Sequence, residues 1–226
     1  MVSAYARWAA MMPVDIELCV IYLPGRGQRL SETPFARLTQ LLPVLMAELQ
    51  PYCDIPIAFL GHSMGAILAF EAARYLRHHR LKEPSHLFCC SCPSPQTPTV
   101  APLIHTLPEA AFVAEINRRY AAIPEAIQKD REMLSLFLPG LRADFAMLET
   151  YSYKPGPPLN AAISVYGGCN DRVVSQSALE GWRQHTSRQF ELAMFEGDHF
   201  FVHSHTEDLI AKVAEALAST AFMAAG

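Results

Sequence analysis

The chain has 226 residues, the length of one large domain or of two small ones. Hydrophobic residues make up 51% and charged residues 18%, which excludes a disordered chain and provides for a large core. A net charge of −4 leaves no basic excess to neutralise nucleic-acid phosphates or to hold an acidic membrane surface.

The first twelve residues include Arg7 and no apolar stretch of signal-peptide length. Nowhere does an uninterrupted apolar run reach the roughly 18 residues of a membrane span. Residues 15–23 read as the first strand. Leu38, Leu41, Leu42, Leu45, Met46 and Leu49 form a helical stripe. Thr33 is its expected cap before Pro34, and Pro43 is expected to kink or split it. Residues 55–60 read as a strand, 66–75 as a helix and 86–91 as a strand. Further strands are expected at 162–166 and 190–195. The last helix is expected to start at Thr206, with Glu207 and Asp208 in its first turn. These strands are apolar on both faces, as parallel strands covered by helices on both sides are. The expected fold class is therefore α/β, a mostly parallel sheet with right-handed crossovers.

One connection breaks the alternation. About 70 residues separate the strands at 86–91 and 162–166, against roughly a dozen for a simple crossover. The connection opens with Pro93, Pro95, Pro98, Pro102 and Pro108. Helical periods follow in Phe112, Ile116 and Tyr120, then in Met133, Leu134, Phe137, Leu138 and Leu141, then in Phe145 and Leu148. Residues 1–92 and 160–226 are thus expected to form the core, and 93–159 a helical insertion placed like a lid.

Cysteine spacing bears on the compartment. Cys89, Cys90 and Cys92 crowd one apolar run, where near neighbours are badly placed to bridge, and Cys19, Cys53 and Cys169 stand alone. Free thiols and a cytoplasmic location are expected.

The chemistry is concentrated in three loops. Gly61-His62-Ser63-Met64-Gly65 is G-x-S-x-G between an expected strand and an expected helix, the setting of a nucleophile elbow. Ser63 is the candidate nucleophile, and the backbone N–H of Met64 the candidate oxyanion donor. Gly61 and Gly65 are expected to permit a close strand–helix approach. A serine needs a base, and the base needs an orienting acid. Asp171 follows the strand at 162–166, and His199 follows the strand at 190–195, in the chain order Ser, acid, His. Asp198 adjoins His199, and consecutive residues seldom orient each other across a ring, so Asp171 is favoured. His62 reads as a packing residue. His199, His203, His205 and Asp208 match no metal-ligand pattern well, and no metal is expected.

These motifs resemble those of a known family. Residues 23–29 (LPGRGQR) look like its P-G-R-x-x-R loop, and 61–66 like its G-H-S-M-G-A elbow. Residues 136–145 (LFLPGLRADF) are similar to its F-L-P-x-L-R-A-D-F segment. Residues 166–171 and 197–201 resemble its acid and base loops. Together they resemble the stand-alone, type II thioesterases that accompany non-ribosomal peptide and polyketide synthases. The resemblance implies an α/β-hydrolase fold and a monomer that clears acyl groups from acyl- or peptidyl-carrier proteins. The phosphopantetheine arm would come with the substrate, and no resident cofactor is implied. Phe112, Ile116, Met133, Phe137 and Leu141 would shelter the acyl chain, and Arg118, Arg119 and Arg142 are docking candidates.

There is one departure. The family places a strand and an F-P-x-A-G-G turn ahead of an S-x-x-Y-x-x-W segment. Ser3, Tyr5 and Trp8 resemble the later segment, and nothing in this sequence matches the turn, which ordinarily supplies a second oxyanion N–H. A missing N-terminal strand and a weakened oxyanion site are therefore expected. A general carboxylester hydrolase with the same triad, or a non-catalytic acyl or carrier-protein binder, are the competing readings.

Overall fold

Among the described residues, four parallel strands form the sheet, in the order β1 (Ala58–His62), β2 (His86–Cys90), β3 (Ala162–Gly168) and β4 (Phe190–Phe195). The computed structural model describes residues 5, 7–98 and 102–224, the side chains of 220–224 excepted. Ser3 of the S-x-x-Y-x-x-W resemblance lies outside them. Every residue of β2 and β3 is buried, and alternation divides them between two cores. Leu87, Cys89, Ile163 and Val165 face one core. Helices α1 (Leu38–Leu49) and α2 (Met64–His78) close it, together with Leu179 of α6 (Gln176–Glu180) and Trp182. Phe88, Cys90 and Tyr166 face the other. It is closed by Phe201 and Val202 of α7 (Phe201–Ser204), by Leu209, Ile210 and Val213 of α8 (Thr206–Ala224), and by Trp8. The three clustered cysteines are free and fully buried, and burial pushes the Cys92 thiol up to about 12. They serve as small apolar packing groups.

The insertion carries α3 (Glu109–Tyr120), α4 (Glu125–Lys129) and α5 (Arg131–Glu149). It has its own core of Ile104, Phe112, Ile116, Ile123 and Leu138. Asp130 caps α5 by accepting from the N–H groups of Glu132 and Met133. The Glu149 carboxylate receives the N–H groups of Ile104 and His105 and the His105 imidazole, while Arg142 donates to the carbonyls of His105 and Leu107. These bonds fasten the start of the insertion to its longest helix.

Several expectations need correction. Asp15 lies in a turn, and residues 16–23, with Ile16, Leu18, Val20 and Tyr22 more covered than Glu17, Cys19 and Ile21, join no ladder among the described residues. Alternating apolarity selects an extended chain and cannot supply a neighbour to bond with. Strand β1 starts at Ala58, not at 55, because Pro56 lacks a ladder donor and Ile55 is exposed. Helix α1 starts at Leu38 with no side-chain cap, so Thr33 does not serve as one. Pro43 does not split α1. Burial of Leu38, Leu41, Leu45 and Met46 outweighs the one hydrogen bond that proline removes. Likewise α5 runs through Pro139 as a single helix.

His86 and His185 are among the imidazoles buried within this framework. His86 bonds the Ser164 hydroxyl at 2.9 Å, and His185 bonds Gln96. Burial lowers each to about 4. Their folded pKa lies below the ordinary value of about 6.5, so below that pH the unfolded chain binds protons that the folded chain refuses. Stability is therefore full above about pH 6.5 and falls as pH drops toward 4, by at most about 1.4 kcal/mol per pH unit for each imidazole. Urea denaturation midpoints between pH 7.5 and 4.5 measure this. The His185→Gln variant should show a shallower slope.

Candidate active site

Ser63 sits between the last residue of β1 and the first of α2, at φ 53 and ψ −121. An L-residue there is strained by roughly 1–3 kcal/mol. Two contacts hold it. Its N–H donates to the Cys90 carbonyl at the end of β2, at 2.8 Å. Gly61 lets the helix close on the strand, because a Cβ there would lie 2.1 Å from the Gly65 carbonyl oxygen. A Cβ on Gly65 would meet nothing within 4 Å, so the close approach needs only the first glycine. Met64 opens α2, and its N–H has no acceptor inside the helix. It is the kind of donor that a developing oxyanion uses.

Asp171 and His199 meet at the carboxyl ends of β3 and β4. His199 Nδ1 lies 2.8 Å from Asp171 Oδ2. The other carboxylate oxygen accepts the N–H groups of Val173 and Val174 at 2.8 and 3.1 Å. Burial alone would raise the Asp171 carboxyl. Its bonds to His199, Val173 and Val174 reverse that and hold it below the usual range. An ionised carboxylate can only accept, so Nδ1 of His199 carries a proton and Nε2 keeps a lone pair in the neutral ring. Asp198 plays another part, since its Oδ1 accepts the Phe200 N–H at 2.8 Å. Gly168 makes the two loops fit, because a Cβ there would lie 2.2 Å from the Asp198 carbonyl.

Contacts link His199 to the elbow and to the insertion. His62, next to Ser63, lies 2.7 Å through Nε2 from the His199 carbonyl oxygen. Tyr120, the last residue of α3, sets its ring edge-on to His199 at 4.9 Å between centroids. With His62 and Phe200 it encloses the imidazole, which is 5% exposed. Nothing in the sequence marks Tyr120 as part of the site. Its signal was a place in an apolar period, which does not say what lies beneath it.

The expected acyl-sheltering residues divide. Phe112 and Ile116 are fully buried in the insertion's own core, so that surface is already committed. Leu141 packs against the same core, and Phe137 is half-buried. Met133 is 48% exposed on α5 beside exposed Leu136. The docking candidates divide too. Arg142 lies over the Phe112 ring and bonds loop carbonyls, and Arg119 is mostly covered and paired with Glu115. Arg118 is exposed and also paired with Glu115. Among the described residues, no three His, Cys, Asp or Glu side chains are grouped to hold a metal ion, and no helix is long and apolar enough to cross a membrane.

Residues 1–217 match the thioesterase domain family. The gramicidin S biosynthesis protein GrsT of Aneurinibacillus migulanus is 41% identical over 208 residues, 92% of this chain and 81% of that one. The structure of ClbQ from the colibactin NRPS/PKS pathway superposes with a TM-score of 0.92 at 27% identity, covering 98% of this chain and 94% of that one. YbtT, a type II thioesterase of the yersiniabactin NRPS/PKS pathway, superposes with a TM-score of 0.84 at 31% identity, covering 96% and 88%.

Gly61→Ala should cost more than Gly65→Ala. The first forces strand and helix apart, at roughly 1–3 kcal/mol or more. The second adds a methyl in open space and removes a flexible residue from the helix start. Thermal melting of both variants, each compared with the parent, checks the order.

Proposed function

The chain belongs to the thioesterase domain family, an α/β-hydrolase that cleaves thioesters, and on that premise we propose that Ser63, His199 and Asp171 carry the reaction. The Ser63 hydroxyl attacks the thioester carbonyl carbon while His199 Nε2 takes its proton. The Met64 N–H stabilises the oxyanion that forms. Collapse breaks the carbon–sulfur bond, and His199 returns the proton to the departing thiolate. Water then attacks the acyl-serine with His199 again as base, which releases the carboxylic acid and restores Ser63.

One observation carries this reading: the 2.8 Å Asp171–His199 pair, joined through the His199 carbonyl to His62, the residue beside a strained serine. The pair leaves Nε2 as the base nitrogen for the Ser63 hydroxyl. The substrate is an acyl group on the phosphopantetheine arm of a carrier protein in peptide or polyketide synthesis. In this reading the arm arrives with the substrate, so the reaction asks for no resident cofactor. The enzyme acts as a monomer. The insertion is the lid, because Tyr120 covers the base that the acyl group must approach. Phe137, Leu141 and Met133 offer the acyl chain apolar surface, and Phe112 and Ile116 support them from within. Arg118 and Arg119 share the one Glu115 carboxylate and leave a single positive charge at this end of α3, so carrier docking rests more on shape than on charge steering.

A serine-directed fluorophosphonate should label the parent, and should leave Ser63→Ala unlabelled. Removing the base in His199→Ala should lower acyl-carrier hydrolysis by roughly a thousandfold or more. Equal or faster turnover of a simple carboxylester than of an acyl-carrier thioester would defeat the carrier assignment. Full hydrolysis by Ser63→Ala would defeat the triad.

A further inference from the structure

His62 does more than fill space. A carbonyl oxygen only accepts, so the 2.7 Å contact with the His199 oxygen requires a proton on His62 Nε2. The ring is held neutral, because burial first and the nearby His199 second lower it to about 3. A neutral ring with a proton on Nε2 has none on Nδ1, which fixes one tautomer. The two imidazoles also pack edge-on, with centroids 5.0 Å apart. His199 is therefore grasped at two points. Asp171 holds the ring through Nδ1, and His62 holds the main chain of the same residue through its carbonyl.

The elbow thus supplies both the serine and the group that fixes how far the base loop stands from it. The base loop turns at Gly197, whose φ is 112, and is laced to the Asp171 loop by the Asn170 N–H donated to the Gly197 carbonyl, while the His62 bond ties it to the elbow. We infer that His62 is a positioning residue, whose Nε2–H donated to the His199 carbonyl sets the distance between the catalytic base and the Ser63 hydroxyl. This rests on the proposed roles of Ser63 and His199. It assigns His62 no contact with substrate.

Two variants separate the hydrogen bond from the packing. His62→Phe keeps a ring and loses the donor. His62→Gln keeps an N–H near the place of Nε2. Misplacing a base by a fraction of an ångström to an ångström costs about tenfold to a hundredfold in rate. His62→Phe should therefore label with fluorophosphonate, and turn over acyl-carrier substrate, about tenfold to a hundredfold more slowly, with KM little changed. His62→Gln should recover most of that loss at the same thermal midpoint as His62→Phe. Parent-like labelling by folded His62→Phe, or a Gln variant no faster than Phe, overturns the inference. A measurement on the unaltered protein covers the case in which a variant fails to fold. Nitrogen-15 shifts of His62 at neutral pH should report a neutral ring protonated on Nε2, and a ring protonated on Nδ1 overturns the inference. His199→Ala tests the parent reading separately. If it keeps its labelling rate, the triad fails, whatever His62 does.

Discussion

The site depends on one close approach, where the end of β1 meets the start of α2. The hydrogen atom of Gly61 leaves room for the Gly65 carbonyl at a distance no Cβ tolerates. With that room the chain passes from strand to helix in a single residue, and Ser63 takes a backbone conformation that serine seldom adopts. Its N–H then reaches the Cys90 carbonyl, which the β1–β2 register has placed opposite His62. Strain of roughly 1–3 kcal/mol is small beside two apolar cores that cover both faces of β2 and β3. The sheet tolerates the turn because the elements on either side of it are buried.

The same economy of side chains appears at the next two loops. Gly168 admits the Asp198 carbonyl, and the N–H groups of Cys169 and Asn170 donate to the carbonyls of Phe195 and Gly197. The Asp171 and His199 loops are thereby laced through their main chains before any side chain is counted. Asp171 then finds three donors, one of them the imidazole. A carboxylate that buried would be unstable as an anion without them. Asp171 is thus held by the loops' backbone, and the His199 ring by Asp171.

Much of this was legible in the residues, for physical reasons. Strands β2 and β3 announced themselves because burial on both faces demands mostly apolar runs, β4 because its residues other than Glu191 are apolar, and α8 because Thr206, Glu207 and Asp208 mark a helix start. The order of Ser63, Asp171 and His199 along the chain follows from a parallel sheet, which delivers loops from successive strands to one end. Residues 15–23 misled because strand pairing is a property of two segments, and a sequence pattern describes one. Thr33 misled because a good capping residue caps only where the helix in fact begins. His62 and Tyr120 were hidden for a further reason. Their roles lie in contacts 137 and 79 residues away along the chain, and neither residue type is unusual where it stands.

Two other motifs gain their meaning only from each other. The P-G-R loop and the F-L-P-x-L-R-A-D-F segment lie more than a hundred residues apart, yet Gly25 and Gly140 touch, and a Cβ on Gly140 would lie 2.8 Å from the Gly25 carbonyl. Beside that contact Arg26 pairs with Asp144 at 2.8 Å, each side chain about a quarter exposed. Burial raises the Asp144 carboxyl, and Arg26 offsets that only in part, so the pair adds little net stability. Its effect is selective. Sliding α5 by one turn along the loop would bury both charges unpaired, and would bring a side chain into the space that Gly140 leaves. The loop and helix are therefore matched twice, by shape and by charge. That double match fixes where the insertion sits, and with it the place of Tyr120 over His199.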